Sequence, residues 1–218
     1  MLVALAFFVL KDGKWALALT MSANPEIVLL PTGTGSPRKV AVEGLKPIYA
    51  VFIGDGSRIA IFHSAPGEPA RLSVVGIGGG RPTAISTPGI SADNGVAFSP
   101  DGARVAYGDT ERRIKTVPIS GGPQTTVPGA TLGECDFVAD WSGDGRSLVV
   151  ENDCDLPERV SLVSVQSGER TPWKELQPND GAGVVTVSRA LLTSDGTGYA
   201  YPYFRTVSSD LYTIDGLK

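Results

Sequence analysis

An Asp-Gly dipeptide recurs along the chain, and this repeat limits the possible folds more than any other feature. Each copy has an apolar residue three positions before it and a short apolar run after it, and the intervals between copies are 43 to 51 residues. Glycine adopts positive φ without steric cost, so Asp-Gly between apolar runs predicts a β-hairpin. The copies are Asp12-Gly13, Asp55-Gly56, Asp101-Gly102, Asp144-Gly145 and Asp195-Gly196.

A second glycine turn follows each copy and completes a four-stranded unit. The order strand, Asp-Gly turn, strand, loop, strand, glycine turn, strand is that of one antiparallel propeller blade. The sequence therefore predicts an all-β fold, a β-propeller in a single domain over 1–218, with blades near 1–43, 44–88, 89–130, 131–178 and 179–218. The second turns are at Gly35, Gly80, Gly122, Gly168 and Gly216.

The last repeat ends before its fourth strand, because Lys218 follows Gly216 by two residues. We expect a larger propeller to which this chain contributes five blades, with a five-bladed ring as the alternative. An incomplete last sheet leaves an edge that can pair with another strand, so a dimer through this edge is a further expectation.

Charge and hydropathy exclude two classes of partner. A net charge of -4 gives no basic surface for nucleic acid. The apolar residues 1–10 cover about half of the roughly 20 residues that a membrane helix needs, so we expect no membrane insertion.

The residues for catalysis are sparse. His63 is the single histidine, and no Gly-x-Ser-x-Gly elbow supplies a serine nucleophile. We expect no catalytic residue, no cofactor and no metal, with His63 at the surface or rim. The run 76–81, rich in glycine, falls on the second turn of a blade and not on a nucleotide loop, and the aromatic residues three before each Asp-Gly are expected to pack in the core.

Cys135 and Cys154 are the only cysteines, and they lie at equal distances from Asp144-Gly145. With a two-residue turn there, they face each other across the hairpin at a separation near that of a disulfide. A disulfide is therefore predicted, which favours an extracytoplasmic location. A one-residue bulge would spoil this register, and buried reduced thiols are the alternative.

Acidic residues collect at the same end of this hairpin. They predict a solvated acidic rim on the loop face, where a basic ligand, peptide or protein partner would bind. The spacing of a calcium loop is absent, so no metal site is predicted. The rim residues are Glu134, Asp136, Glu151, Asp153 and Asp155.

Two segments resemble the repeats of TolB-like, WD-repeat-related propellers: VAFSPDGARVAYG and DWSGDGRSLVV. The C-terminal segment LLTSDGTGYAYPYFRTVSSDLYTIDGLK, with DGKWALAL and WKELQPND, resembles the end of bacterial receptor-like serine/threonine kinases. That resemblance implies the extracytoplasmic sensor half of such a protein, ending on Ser209-Asp210-Leu211-Tyr212. The kinase motifs themselves are absent from the chain.

These observations predict a non-catalytic, extracytoplasmic binding or sensor module of bacterial origin. It would recognise a protein, peptide or small ligand. A TolB-like periplasmic component is one alternative, and the propeller domain of a prolyl-oligopeptidase-like hydrolase is another. The absent nucleophile elbow and the single histidine argue against the hydrolase.

Overall fold

The computed structural model describes residues 4–10, 12–64, 68–91, 93–187, 189–193 and 197–208, with side chains from residue 9 onward. In these ranges the chain forms β-strands and their connections. No helix capable of crossing a membrane occurs among the described residues.

Four antiparallel sheets follow one another along the chain, and each holds four strands in sequence order. The first sheet contains β1 (Ala4–Val9), β2 (Trp15–Thr20), β3 (Ile27–Pro31) and β4 (Arg38–Val40). The second contains β5 (Pro47–Ile53), β6 (Arg58–His63), β7 (Arg71–Gly76) and β8 (Thr83–Ala84). The third contains β9 (Val96–Phe98), β10 (Arg104–Gly108), β11 (Arg113–Pro118) and β12 (Thr125–Thr131). The fourth contains β13 (Asp136–Trp141), β14 (Ser147–Asn152), β15 (Glu158–Ser164) and β16 (Arg170–Leu176).

The fifth repeat forms a long hairpin. Its strands are β17 (Val184–Val187), β18 (Leu191–Leu192), β19 (Tyr199–Ala200) and β20 (Tyr203–Arg205). β17 pairs with β20, and β18 pairs with β19 nearer the tip. The fifth Asp-Gly, the motif at 209–212, the predicted third strand and the unpaired edge that would support a dimer all lie outside the described residues.

The sheets stack face to face, which confirms the predicted propeller. Buried apolar residues form four clusters, and each cluster lies between two consecutive sheets. Leu17 and Ile59 join the first two sheets, for example, and Val149 and Val187 join the fourth sheet to the last hairpin. Each twisted sheet has two apolar faces, and stacking against neighbouring sheets removes these faces from contact with water.

The Asp-Gly turns are longer than predicted. Phe98 pairs with Val105, so Asp101-Gly102 is the centre of a four-residue loop and not a two-residue turn. The Asp101 carboxylate accepts the N–H of Ala103 at 2.9 Å, and Gly102 has a φ of 65°. Asp144 and Gly145 repeat this arrangement. Aspartate therefore caps the loop through its side chain, and glycine supplies the positive φ.

In the second and fourth sheets, the second glycine turn contacts the preceding sheet. Gly79 lies in the turn between β7 and β8, where an added Cβ would be 2.5 Å from the Ala41 carbonyl oxygen. Gly80 donates its N–H to the same carbonyl at 2.8 Å. The glycine-rich run is thus part of a blade turn, as predicted, and its lack of side chains permits this backbone contact.

Candidate functional site

The first strands of neighbouring sheets contact one another: β1 contacts β5, and β9 contacts β13. These strands therefore line the propeller axis. At the end of the axis where the Asp-Gly loops lie, the second, third and fourth sheets and the last hairpin line a cavity of about 380 Å³, which we call the turn-side pocket. Its walls are Phe52, Gly54, Phe98, Ser99, Pro100, Asp140, Trp141, Gly143, Leu192 and Thr193.

The aromatic residues three before an Asp-Gly have two roles in this pocket. Phe98 and Trp141 line it and also pack against the clusters between sheets. The Trp141 indole N–H donates to the Ala97 carbonyl at 3.0 Å, and the Arg104 guanidinium lies 4.7 Å from the centre of the Trp141 ring. The predicted packing role is therefore confirmed, but these side chains also offer apolar surface to a ligand.

Asp140 is the acidic group of the turn-side pocket. Burial raises the pKa of its carboxyl, and the Trp141 N–H and the positive charge of Arg189 partly offset that rise. Arg189 belongs to the last hairpin, so its charge reaches the wall of the fourth sheet.

A smaller cavity of about 210 Å³ lies nearer the opposite end of the axis, and we call it the loop-side pocket. It is lined by Ile48, Tyr49, Phe62, Val96 and Arg189. Arg189 is exposed and hydrogen-bonds to Tyr49 from the other side of the axis. Burial raises the pKa of Tyr49, while the charge and hydrogen bond of Arg189 oppose this rise.

His63 is buried, contrary to the predicted surface position. Its Nε2 is 2.8 Å from the Ser73 hydroxyl oxygen on the adjacent strand. Burial, and then the charge of Arg71, lower the pKa of the His63 imidazole. The imidazole does not line either axial pocket.

The predicted acidic rim divides into exposed and buried residues. Glu134, Asp153 and Asp155 are exposed, as a solvated rim requires. Asp136 is buried, and it accepts hydrogen bonds from Asn152, Arg170 and the Gly133 N–H. Burial opposes ionisation of Asp136, but these hydrogen bonds outweigh it and lower the pKa of its carboxyl.

Glu151 departs furthest from the predicted rim, because its side chain is fully buried beside that of Glu158. Its Oε1 accepts the Ala190 N–H of the last hairpin at 3.0 Å. Burial, and then the neighbouring Glu158 carboxyl, raise the pKa of Glu151 to about 9. The pair therefore holds a proton at neutral pH, with one carboxyl donating to the other.

Cys135 and Cys154 form a disulfide with 5.5 Å between their Cα atoms. The predicted register does not hold at this point, because a bulge between Val138 and Asp140 shifts the pairing by one residue. Both cysteines lie just beyond the ends of β13 and β14, where Asp153 donates its N–H to the Cys135 carbonyl at 3.3 Å. The bond therefore closes the open end of the hairpin and is not a cross-strand pair.

Arg189 and Tyr49 were missed in the sequence because no motif contains them, and Asp140 was missed although it opens the segment DWSGDGRSLVV. Arg189 is six residues before Asp195, and the corresponding position holds Tyr49 in the second repeat and Val138 in the fourth. An alignment of the repeats would have pointed to Arg189, because it is charged at a position that is uncharged in the other repeats.

Comparison with known proteins identifies the fold. No protein-family model matches the sequence, and a search of curated proteins finds no match. The structure is similar to that of putative TolB from Agrobacterium tumefaciens, with a TM-score of 0.65 and 18% identity over 96% of this chain and 73% of that one. It is also similar to TolB from Acinetobacter baumannii, with a TM-score of 0.63 and 13% identity over 93% of this chain and 55% of that one.

A third similar structure is a chain of a nidogen/laminin complex. Its TM-score is 0.55 at 18% identity, over 75% of this chain and 62% of that chain. The fold is therefore a TolB-like β-propeller, and this chain spans about half to three quarters of the TolB structures it matches.

Proposed function

We propose that this chain is a non-catalytic protein-binding propeller whose partner inserts an apolar side chain into the turn-side pocket. The observation that carries the proposal is the convergence of three sheets and the last hairpin on one cavity of about 380 Å³. A side chain that enters such a pocket loses part of its contact with water, and central pockets of this kind hold binding hot spots.

The wall of the pocket fits this role. Phe52, Phe98 and Trp141 supply aromatic surface, and the clusters between sheets fix their positions. Rigid aromatic residues lose little conformational entropy on binding, so their contact area is available to the partner. This pocket lies at the end of the axis opposite the loop face on which the sequence placed the partner.

One observation favours a role in binding over the hydrolase alternative. The buried His63 contacts Ser73 away from both axial pockets. Turnover of chromogenic ester or peptide substrates by the purified chain would contradict the proposal.

We place the protein outside the cytoplasm on the basis of the Cys135–Cys154 disulfide, since such bonds persist where thiols are oxidised. The C-terminal sequence resemblance favours the sensor part of a receptor-like serine/threonine kinase, and the fold fits a TolB-like component equally well. The gene's upstream sequence distinguishes them: a kinase frame followed by a membrane helix supports the sensor, and a signal peptide alone supports the TolB-like component.

The binding proposal is tested with peptides selected from a phage-displayed random library against the purified chain. Pro100→Arg puts a long charged side chain at the rim of the turn-side pocket. It is expected to lower the affinity for the selected peptides by about tenfold or more. Gln166→Arg is the matched control, because Gln166 is exposed in the turn between β15 and β16. Peptides that bind both variants as tightly as the wild type would contradict the proposal.

A further inference from the structure

The loop-side pocket combines an apolar wall with one cation. Phe62 and Val96 come from neighbouring sheets, and Arg189 approaches from the last hairpin. No ion pair among the described residues includes Arg189. The charge of Arg189 also reaches Glu151, whose Oε1 accepts the Ala190 N–H and not a guanidinium N–H.

The position of the Arg189 side chain is defined at both ends. Its backbone has a φ of 41°, which is uncommon for a residue with a β-carbon. Its side chain hydrogen-bonds to Tyr49 on the far side of the axis. A tethered guanidinium loses little entropy when it binds a further acceptor.

We propose that the loop-side pocket binds an organic carboxylate, whose oxygens accept hydrogen bonds from the Arg189 guanidinium while its apolar substituent packs against Phe62 and Val96. The planar guanidinium matches the two oxygens of a carboxylate, and the partly enclosed wall strengthens the charged contact. Asp140 is also within reach of the Arg189 charge, and it favours a ligand with a single negative charge over a more highly charged anion.

The volume of the pocket limits the size of the ligand. A cavity of about 210 Å³ is smaller than the roughly 300 to 1,000 Å³ that hold drug-sized molecules. A short aliphatic or aromatic acid fits, as does the terminal residue of a peptide with its carboxylate. These two sources share the same chemistry. The site is separate from the turn-side pocket and does not depend on the binding function proposed there.

The test is a titration of the full chain with sodium hexanoate, followed by protein-observed NMR, with hexanamide as the neutral control. Hexanoate is expected to bind at least about tenfold more tightly than hexanamide. A short peptide that ends in leucine, with its C-terminus free or amidated, distinguishes a peptide from a free acid as the source. Equal binding of the acids and their amides, or the absence of binding by either acid, would overturn the proposal.

Variants assign the binding to Arg189. Arg189→Gln is expected to lower the affinity for hexanoate by about tenfold or more. Arg189→Lys is expected to lower it by less, because lysine keeps the charge but loses the bidentate geometry. Arg205→Gln is the matched control on the same hairpin, where Arg205 pairs with Asp180. Undiminished binding by folded Arg189→Gln and Arg189→Lys would overturn the assignment.

Discussion

Glu151 and Glu158 have too few hydrogen-bond donors around them for both carboxyl groups to ionise. Three of their four carboxyl oxygens are buried without a partner unless a proton lies between the side chains. Ionisation of both would leave two like charges between the fourth sheet and the last hairpin, out of contact with water. The pair therefore couples protonation to the packing of these two sheets.

The stability of the protein should depend on pH through this pair. In the unfolded chain Glu151 ionises near its ordinary pKa of 4.5, whereas in the folded protein its pKa is about 9. Between these values the folded state binds a proton that the unfolded state has lost, so the free energy of unfolding falls as the pH rises. Glu151→Gln cannot ionise and still accepts the Ala190 N–H.

We expect Glu151→Gln to flatten this pH dependence and to raise the free energy of unfolding by about 1 kcal/mol or more near pH 8. The measurement is urea unfolding of wild type and variant at several pH values. Glu134→Gln is the control, since Glu134 is exposed on the same end of the sheet. A variant with the same pH slope as the wild type would argue against a shared proton.

The fourth sheet contains the Cys135–Cys154 disulfide, which acts as a covalent brace. The disulfide joins residues 19 apart in sequence and closes the open end of the hairpin formed by β13 and β14. Loop closure of this length contributes about 3 kcal/mol in the chain-entropy view. The brace lies next to the strand ends that position Glu151 and Asp136.

Replacing Cys135 and Cys154 together by alanine should lower the free energy of unfolding by about 3 kcal/mol. The expected cause is the greater freedom of the unfolded chain. Denaturant unfolding of the oxidised, reduced and double-alanine proteins measures the effect, and the reduced protein should resemble the double variant. Equal stability of all three forms would show that the hairpin ladder alone suffices.

The glycine turn between the third and fourth strands contacts the preceding blade in the fourth sheet but not in the third. An added Cβ at Gly168 would be 1.6 Å from the Pro128 carbonyl oxygen, whereas a Cβ at Gly121 meets nothing within 4 Å. Both glycines have a positive φ, of 73° and 83° respectively. The two positions therefore separate the effect of φ from the effect of contact between blades.

Gly168→Ala should be more destabilising than Gly121→Ala by about 2 kcal/mol or more. Both substitutions put a Cβ on a residue with a positive φ, but only the Cβ at position 168 also clashes with the Pro128 carbonyl of the preceding blade. Thermal and urea unfolding of the two variants give the comparison. Similar losses at both positions would mean that the blades move apart without appreciable cost.

At the scale of the whole molecule, exposed apolar side chains concentrate on the last hairpin. Val185, Leu191, Phe204 and Val207 are all at least 64% exposed. Exposed apolar groups on one sheet mark a surface that another apolar surface can cover. This hairpin also follows the fourth sheet as a fifth blade would.

We expect the isolated chain to self-associate through this hairpin as its concentration rises. Serine at both Phe204 and Val207 should reduce the association, because it removes apolar area from the contact. Light scattering over a range of concentrations measures it. Met21→Ser is the control, since Met21 is similarly exposed but belongs to the first sheet. A wild-type chain that is monomeric throughout would contradict this prediction.

The sequence was sufficient for the repeat, the antiparallel hairpins and the stacking of blades, because these depend on local properties. Glycine at a positive φ and alternating apolar residues act within a few positions of each other. The cysteine pair was also found, although the bulge before Asp140 moved the register on which its prediction depended. Errors of one residue are common in sheets because a bulge is decided by packing and not by the turn.

The repeated Asp-Gly established by itself that the chain is a propeller of antiparallel blades. Only the tertiary structure decided which side chains meet on the axis, since Tyr49 and Arg189 are 140 positions apart in the chain. It also decided that Asp136, Glu151 and His63 are buried, because burial depends on the neighbouring sheet and not on the residue's own strand. Local chemistry fixes the blades, and the closing of neighbouring blades around the axis creates the pockets.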